Sequence, residues 1–218
     1  MSLGTDLRSA LLWAVSAAHF FPGATFFVGM DAVLPAGAWD PMFREFTRNI
    51  VRLSGARVVV RRSPNIDPRR ACFFVANHVN LFDPFVIYSS ISNFARGFEL
   101  ESHFDIPVYG WMMRRAHASF DAGTSLIAFP EGTRTRTGEV GPFEPALLRV
   151  AIELGAPVVP VTLDGSYRHH RVGDWRLYPA EIVVTVHDPI ETAGIGRGEA
   201  PVLAERVRGI VVGAMLHS

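Results

Sequence analysis

From Ser9 to Met30 the chain carries no Asp, Glu, Lys or Arg: SALLWAVSAAHFFPGATFFVGM. An uncharged run of that length reaches across the hydrocarbon of a bilayer if it is helical. Pro22-Gly23 breaks it midway and His19 adds a polar group, so two placements stay open, a full crossing and a bent segment dipping into one leaflet. A buried core helix is the reading that involves no lipid. A signal peptide fits less well, because Asp6 offsets Arg8 in the flank and no convincing cleavage site follows. Residues 1–39 are read as a hydrophobic membrane-associating segment and 40–218 as one domain.

The next stretch, DPMFREFTRNIVRLSG, is punctuated as a helix. Asp40 suits an N-cap, Pro41 the first helical position and Gly55 the stop. Arg44, Arg48 and Arg52 recur every four residues along one stripe, either a solvated face or a membrane-surface one. Beyond it apolar strands alternate with helices. Strands are expected at 56–61, 71–76, 125–129, 157–163 and 181–188, and helices at 84–95, 143–154 and 202–215. That alternation predicts an α/β fold, a mixed and largely parallel sheet flanked by helices.

Composition excludes several kinds of chemistry. All 21 basic residues are Arg and none is Lys, which removes the Walker A loop, a pyridoxal Schiff base and any Lys nucleophile. The formal charge of zero argues against nucleic acid as a partner. Residues 1–70 nevertheless hold nine Arg against five acidic residues, while the remainder holds twelve against sixteen. A cationic first third suits an anionic lipid surface. The single Cys72, in the strand-like ACFFVA, allows no internal disulfide and reads as a small buried hydrophobe in a reducing compartment.

Two loops directly follow apolar strands, ANHVNLFDPF after CFFV and PEGTRTRTG after SLIAF. In open α/β sheets ligands bind beyond the carboxyl ends of strands. One loop offers His78 and Asp83, and the other offers Glu131, Gly132, Thr133 and Arg134. Histidine takes a proton near neutral pH, and a carboxylate on its other ring nitrogen would fix its tautomer. Arg134 is a permanently charged fork suited to phosphate. Asp83 followed by Pro84 could equally start helix 84–95 as its cap. His169 and His170 read as solvated loop residues, and Trp111, Met112 and Met113 as core or groove lining. Serine-hydrolase elbows, zincin motifs, C-x-x-C pairs and dinucleotide-binding glycine loops do not occur.

These residues carry a resemblance. NHVNLFD is similar to the N-H-x-x-x-x-D motif of the glycerolipid acyltransferases, the 1-acyl-glycerol-3-phosphate acyltransferases and related lysophospholipid acyltransferases. FPEGTR (129–134) resembles that family's third motif and VVPVTL (158–163) its fourth, over roughly residues 40–215. The resemblance implies His78 as general base and Asp83 as the residue that orients it. It implies an acceptor site built from Asn77, Glu131, Gly132, Thr133 and Arg134. The donor would be acyl-CoA or acyl-carrier protein, a co-substrate, with no cofactor and no metal required. The partners would be membrane lipid and a lysophospholipid, with lysophosphatidate as the default acceptor. The enzyme would sit at a membrane, a bacterial inner membrane, with its active site facing the cytoplasm. The alternatives are a catalytically impaired lipid-binding protein of the same fold and an acyl thioesterase.

Two departures stand out. The family's second motif, an aromatic residue followed shortly by Arg, is not found between His78 and Pro130, and a strand and most of a helix look absent near Arg115–His117. Arg114 or Arg115 could supply the missing acceptor-phosphate contact. Glu144-Pro145 stands where the family more often has a basic residue and Gly.

Overall fold

A computed structural model describes residues 3–35, 37–97, 120–121 and 123–215. Among the described residues the sheet has six strands: β1 (Ala56–Arg62), β2 (Phe73–Ala76), β3 (Ala95–Gly97), β4 (Ser125–Ala128), β5 (Val158–Asp164) and β6 (Ala180–Val186). Their order is β1-β6-β5-β2-β4-β3, and every neighbouring pair is parallel except the antiparallel β5–β6. Every residue of β2, β4 and β5 is buried, as a strand covered on both faces must be. Among the described residues, helices α1 (Leu3–Val33), α2 (Asp40–Leu53), α3 (Asp83–Ser90), α4 (Pro145–Leu154), α5 (Ser166–His169) and α6 (Ala200–Gly213) accompany the sheet. One core joins α1, α2 and α3 to the sheet through Phe27, Phe46, Phe74 and Ile87; the other joins α4 and α6 to it through Leu148, Val150 and Val207. The α/β architecture with an N-terminal apolar helix is the one expected from the sequence.

Several local expectations are corrected. The helix placed at 84–95 stops at Ser90, and 95–97 forms strand β3 against β4. Arg44 explains the stop. Its guanidinium donates to the carbonyls of Tyr88 (3.1 Å), Ile91 and Asn93 (2.7 Å), satisfying the chain end that a longer helix would have needed to satisfy itself. Arg44 is therefore not part of a solvated stripe, while Arg48 and Arg52 share the exposed Glu45. Asp40 is the first residue of α2 rather than its cap, and its carboxylate takes Arg44 Nε (2.7 Å) and the Tyr88 hydroxyl. Gly55, at φ +90°, ends α2 as expected.

Helix α1 runs unbroken through Pro22-Gly23. Pro22 leaves one backbone hydrogen bond unmade, but Gly23 contributes packing. A Cβ there would lie 2.1 Å from Cε2 of Phe46, so the bare backbone is what lets α1 press against α2. Along α1 only Ser9, Ser16 and Phe27 are buried, which overturns the core-helix reading. The inner side is pinned over much of its length: Asp6 to Arg176 (2.6 Å), Trp13 Nε1 to the Trp175 carbonyl (2.6 Å) and Asp31 to Arg96 (3.0 Å). Leu3, Leu7, Leu11, Phe21, Phe26 and Val28 remain exposed.

His169 and His170 are buried, not solvated. His169 Nδ1 donates to the Tyr178 carbonyl (2.7 Å) and its Nε2 lies 3.0 Å from Ser54 Oγ, tying the end of α2 to the segment before β6. Cys72 is a buried free thiol, and burial pushes it up to about 11, as its strand setting implied.

Candidate active site

The carboxyl end of β2 delivers Asn77 and His78 into a loop that returns at once to α3. Asn77 is 1% exposed and bonds both the carbonyl (3.0 Å) and the N–H (2.8 Å) of Leu163 on β5. Expected among the acceptor-binding residues, it braces the strand end instead. Asn80 organises the turn: its Oδ1 accepts from Phe82 N–H (2.7 Å) and its Nδ2 donates to the Ser166 carbonyl (2.8 Å). Such side-chain-to-backbone bonds two residues on are the turn chemistry of Asn.

Asp83 opens α3 with Pro84 behind it, but its carboxylate faces backward rather than capping its own helix. Asp83 Oδ2 accepts from His78 Nδ1 (3.0 Å), Val79 N–H (2.6 Å) and Asn80 N–H (2.7 Å). The residue is fully buried. One oxygen thus sets both the loop and the imbalance of the ring: Nδ1 holds the proton, and Nε2 carries the lone pair. Among the described residues Nε2 has no hydrogen-bond partner, and the His78 side chain is 20% exposed.

The second loop closes on the first through the main chain of His78. The His78 N–H donates to Glu131 Oε1 (2.7 Å), and the His78 carbonyl accepts from Thr135 N–H (3.0 Å). Glu131 Oε2 takes the Gly141 N–H (2.9 Å). Burial raises the Glu131 carboxyl above its ordinary value, while the His78 and Gly141 N–H groups pull it down. Both its oxygens therefore serve the protein's own backbone. Gly132 turns the loop at φ +66°, Gly132 and Thr133 are exposed, and Arg134 is half-buried. Arg134 lies near His170, whose imidazole is held below its ordinary value first by burial and then by that guanidinium. Arg114 and Arg115 lie outside the described residues.

Phe129, just before the second loop, stacks on the His78 ring with centroids 4.1 Å apart. It also lines an apolar cavity of about 340 Å³ with Trp39, Phe43, Phe85 and Tyr88. Sequence reasoning missed Phe129, Asn80 and Gly141. The first two stand inside the quoted motifs, but nothing in the sequence tells which motif residues face inward. Among the described residues no group of three or more His, Cys, Asp or Glu is placed to hold a metal.

A parallel-sheet core thus carries a buried Asp that orients a His, and Phe129 joins that His to an apolar cavity, the arrangement in which the resemblance of the motifs led us to expect a site. Comparisons with known proteins agree. The Acyltransferase family model matches residues 117–164. A chloroplastic 1-acyl-sn-glycerol-3-phosphate acyltransferase of Brassica napus is 29% identical over 140 residues, 55% of this chain and 40% of that one. The Pseudomonas aeruginosa protein of the same name is 22% identical over 225 residues, 90% of this chain and 85% of that one. The crystal structure of the 1-acyl-sn-glycerophosphate acyltransferase PlsC from Thermotoga maritima shares the fold, with a TM-score of 0.78 at 24% identity over 96% of this chain and 94% of that one. The chain is similar to the glycerolipid acyltransferases in its motifs and its fold. It spans well under two thirds of the plant relatives, 40% of the Brassica napus protein and 25% of a Cocos nucifera one.

Proposed function

We propose that this chain is a membrane-associated O-acyltransferase that moves a fatty acyl group from a thioester to the free hydroxyl of a lysophospholipid, lysophosphatidate by default. The observation that carries the reading is the His78–Asp83 pair, with Nδ1 bound to a buried carboxylate and Nε2 left for substrate. In the reaction His78 Nε2 takes the acceptor's hydroxyl proton as the oxygen attacks the thioester carbonyl. The C–S bond then breaks, and the leaving thiolate takes the proton back from the imidazolium. Positioned proton transfer of this kind contributes roughly 10²–10⁴-fold, and Asp83 stabilises the imidazolium that forms.

The thioester is already activated, so this chemistry needs no metal or nucleotide. The apolar cavity beside His78 suits an acyl chain, and Arg134 suits the acceptor's phosphate. Acyl-CoA and acyl-carrier protein both present the required thioester. Helix α1 supports membrane association, being long and apolar enough to cross a bilayer with only 11% of its apolar window buried. Because its inner side is seated on the domain, the reading favours a helix sunk in one leaflet. The free Cys72 fits an active site on the cytoplasmic side, a bacterial inner membrane being the setting.

The test is thiol release from long-chain acyl-CoA and acyl-carrier protein, with and without lysophosphatidate, for the full chain and for His78→Ala. Acceptor-dependent release that disappears in the variant supports the transferase. Release without acceptor would make the protein a thioesterase, and no release from either donor would make it a lipid-binding relative of the family.

A further inference from the structure

The C-terminal helix α6 lies on the face of the sheet opposite α3, yet it is connected to His78 by an unbroken series of hydrogen bonds. Arg208 Nε donates to the Gly141 carbonyl (2.8 Å) and its Nη2 to the Val140 carbonyl (3.1 Å). Gly141 passes its own N–H to Glu131 Oε2 (2.9 Å), and Oε1 of that carboxylate takes the His78 N–H (2.7 Å). We propose that Arg208 is a positioning residue for His78, acting through Gly141 and Glu131.

Each link has a reason for its residue type. Arg208 rises from a helix anchored by buried Leu203, Ala204, Val207 and Val211, so the base of the side chain is fixed. A planar guanidinium can address two adjacent carbonyls at once, whereas an ammonium is a point donor on a flexible stem. Gly141 has no spare room: a Cβ would lie 3.2 Å from Glu131 Oε2, against the carboxylate that holds His78. Glu131 must present both oxygens as acceptors, because two backbone N–H groups converge on it. Without Arg208 the Val140 and Gly141 carbonyls lose their hydrogen bonds to α6 and only apolar packing holds Val140 there, so Gly141 shifts and Glu131 keeps only the His78 end of the clamp at full strength. A base misplaced by a fraction of an ångström loses rate while the acceptor still binds.

The kinetic readout rests on the transferase reading; the spectroscopic one does not. Four variants of the full chain separate the two: Arg208→Gln, Arg208→Lys, Gly141→Ala and, as a control, Glu205→Gln. Glu205 touches Arg208 only at 3.4 Å and is largely exposed. Arg208→Gln should lower kcat roughly tenfold to a hundredfold with acceptor KM unchanged. Gly141→Ala should reproduce the loss, Arg208→Lys should recover part of it, and Glu205→Gln should match wild type. Arg208→Gln combined with Glu131→Gln should be no worse than Glu131→Gln alone. In nitrogen-15 spectra the Nδ1–H resonance of His78 should move or broaden in Arg208→Gln and stay put in Glu205→Gln.

An unchanged kcat and an unchanged His78 resonance in folded Arg208→Gln would overturn the relay, as would fully additive losses in the double variant. If wild type shows no acceptor-dependent transfer, the functional reading fails and the resonance alone decides. A resonance moved by Arg208→Gln then still upholds the relay, and an unmoved one ends it.

Discussion

The imidazole of His78 lies on the ring of Phe129, with planes 22° apart and centroids separated by 4.1 Å. The two loops that make the site therefore meet twice, through the clamp on the His78 main chain and through this stack. The hydrogen bonds fix the backbone, and the stack fixes the ring against rotation about the Nδ1–Asp83 bond. Phe129→Leu keeps most of the apolar contact but removes the flat face. Stacked aromatic pairs contribute about 0.5–1.5 kcal/mol beyond burial, so kcat should fall up to roughly tenfold while the melting temperature changes little. Steady-state thiol release and a thermal scan measure both. A wild-type kcat would show that Asp83 alone orients the ring.

Glu131 and Arg134 belong to one motif and should behave oppositely. Gln at 131 replaces one acceptor oxygen with a donor and orphans one of two N–H groups. Glu131→Gln should therefore reduce kcat by one to two orders of magnitude with little change in acceptor KM. Arg134→Ala removes a charge-assisted contact of about 1.5–3 kcal/mol, so acceptor KM should rise at least tenfold. Both follow from rate curves against lysophosphatidate concentration. An increase of KM alone in Glu131→Gln would return that carboxylate to the acceptor.

What the sequence disclosed depended on the range of the interaction. The strand–helix alternation predicted β1, β2, β4, β5 and β6 because period and turn residues are local signals. The three-residue β3 escaped, since Arg44, far back on α2, decides where α3 ends. His78 and Asp83 were legible as a pair because only four loop residues separate them. The duties of Asn77 and Glu131 were not, because their partners Leu163 and Gly141 are set by folding. Gly23 misled for the same reason: a glycine reads as a breaker until the aromatic ring that covers it is known. Arg114 and Arg115, offered in place of the second motif that the sequence lacks, lie outside the described residues.

Gly23 and Gly29, both inside α1, offer an internal comparison. A methyl group at Gly23 meets the Phe46 ring, whereas one at Gly29 meets nothing within 4 Å. Overpacking typically costs about 1–3 kcal/mol, while Gly to Ala at an open helical position gains about 0.5–1 kcal/mol. Gly23→Ala should destabilise and Gly29→Ala should not. Denaturant midpoints of the two variants test this, and equal midpoints would mean that α1 is not packed on α2.

Burial holds His169, His170 and His187 below the ordinary histidine value of 6.5. The unfolded chain therefore takes up protons first. Stability is fully present above that value and is lost as pH falls through it, because protonation favours the unfolded state. His169→Leu should shallow this acid slope. It should also cost about 1–3 kcal/mol at neutral pH by leaving the Tyr178 carbonyl without its donor. Chemical unfolding over a pH series checks both, and an unchanged slope would assign the acid sensitivity to the other two histidines.

Membrane attachment should depend on the outer face of α1 alone. Leu7 and Leu11 are each 63% exposed and lie one helical turn apart on that face. A charge placed in hydrocarbon costs about 2.5–3.5 kcal/mol, and neither side chain is needed to hold the helix against the domain. Leu7→Glu combined with Leu11→Glu should weaken binding to phospholipid vesicles at least tenfold without lowering the melting temperature. Deleting α1 is a poorer test, because it strips cover from Phe43, Phe46 and Trp39 and mixes unfolding with release. Vesicle co-sedimentation in low and high salt gives the answer. Full binding by the double variant at low salt, lost at high salt, would move the anchor to Arg48 and Arg52 on α2, whose shared Glu45 leaves a net positive charge facing solvent.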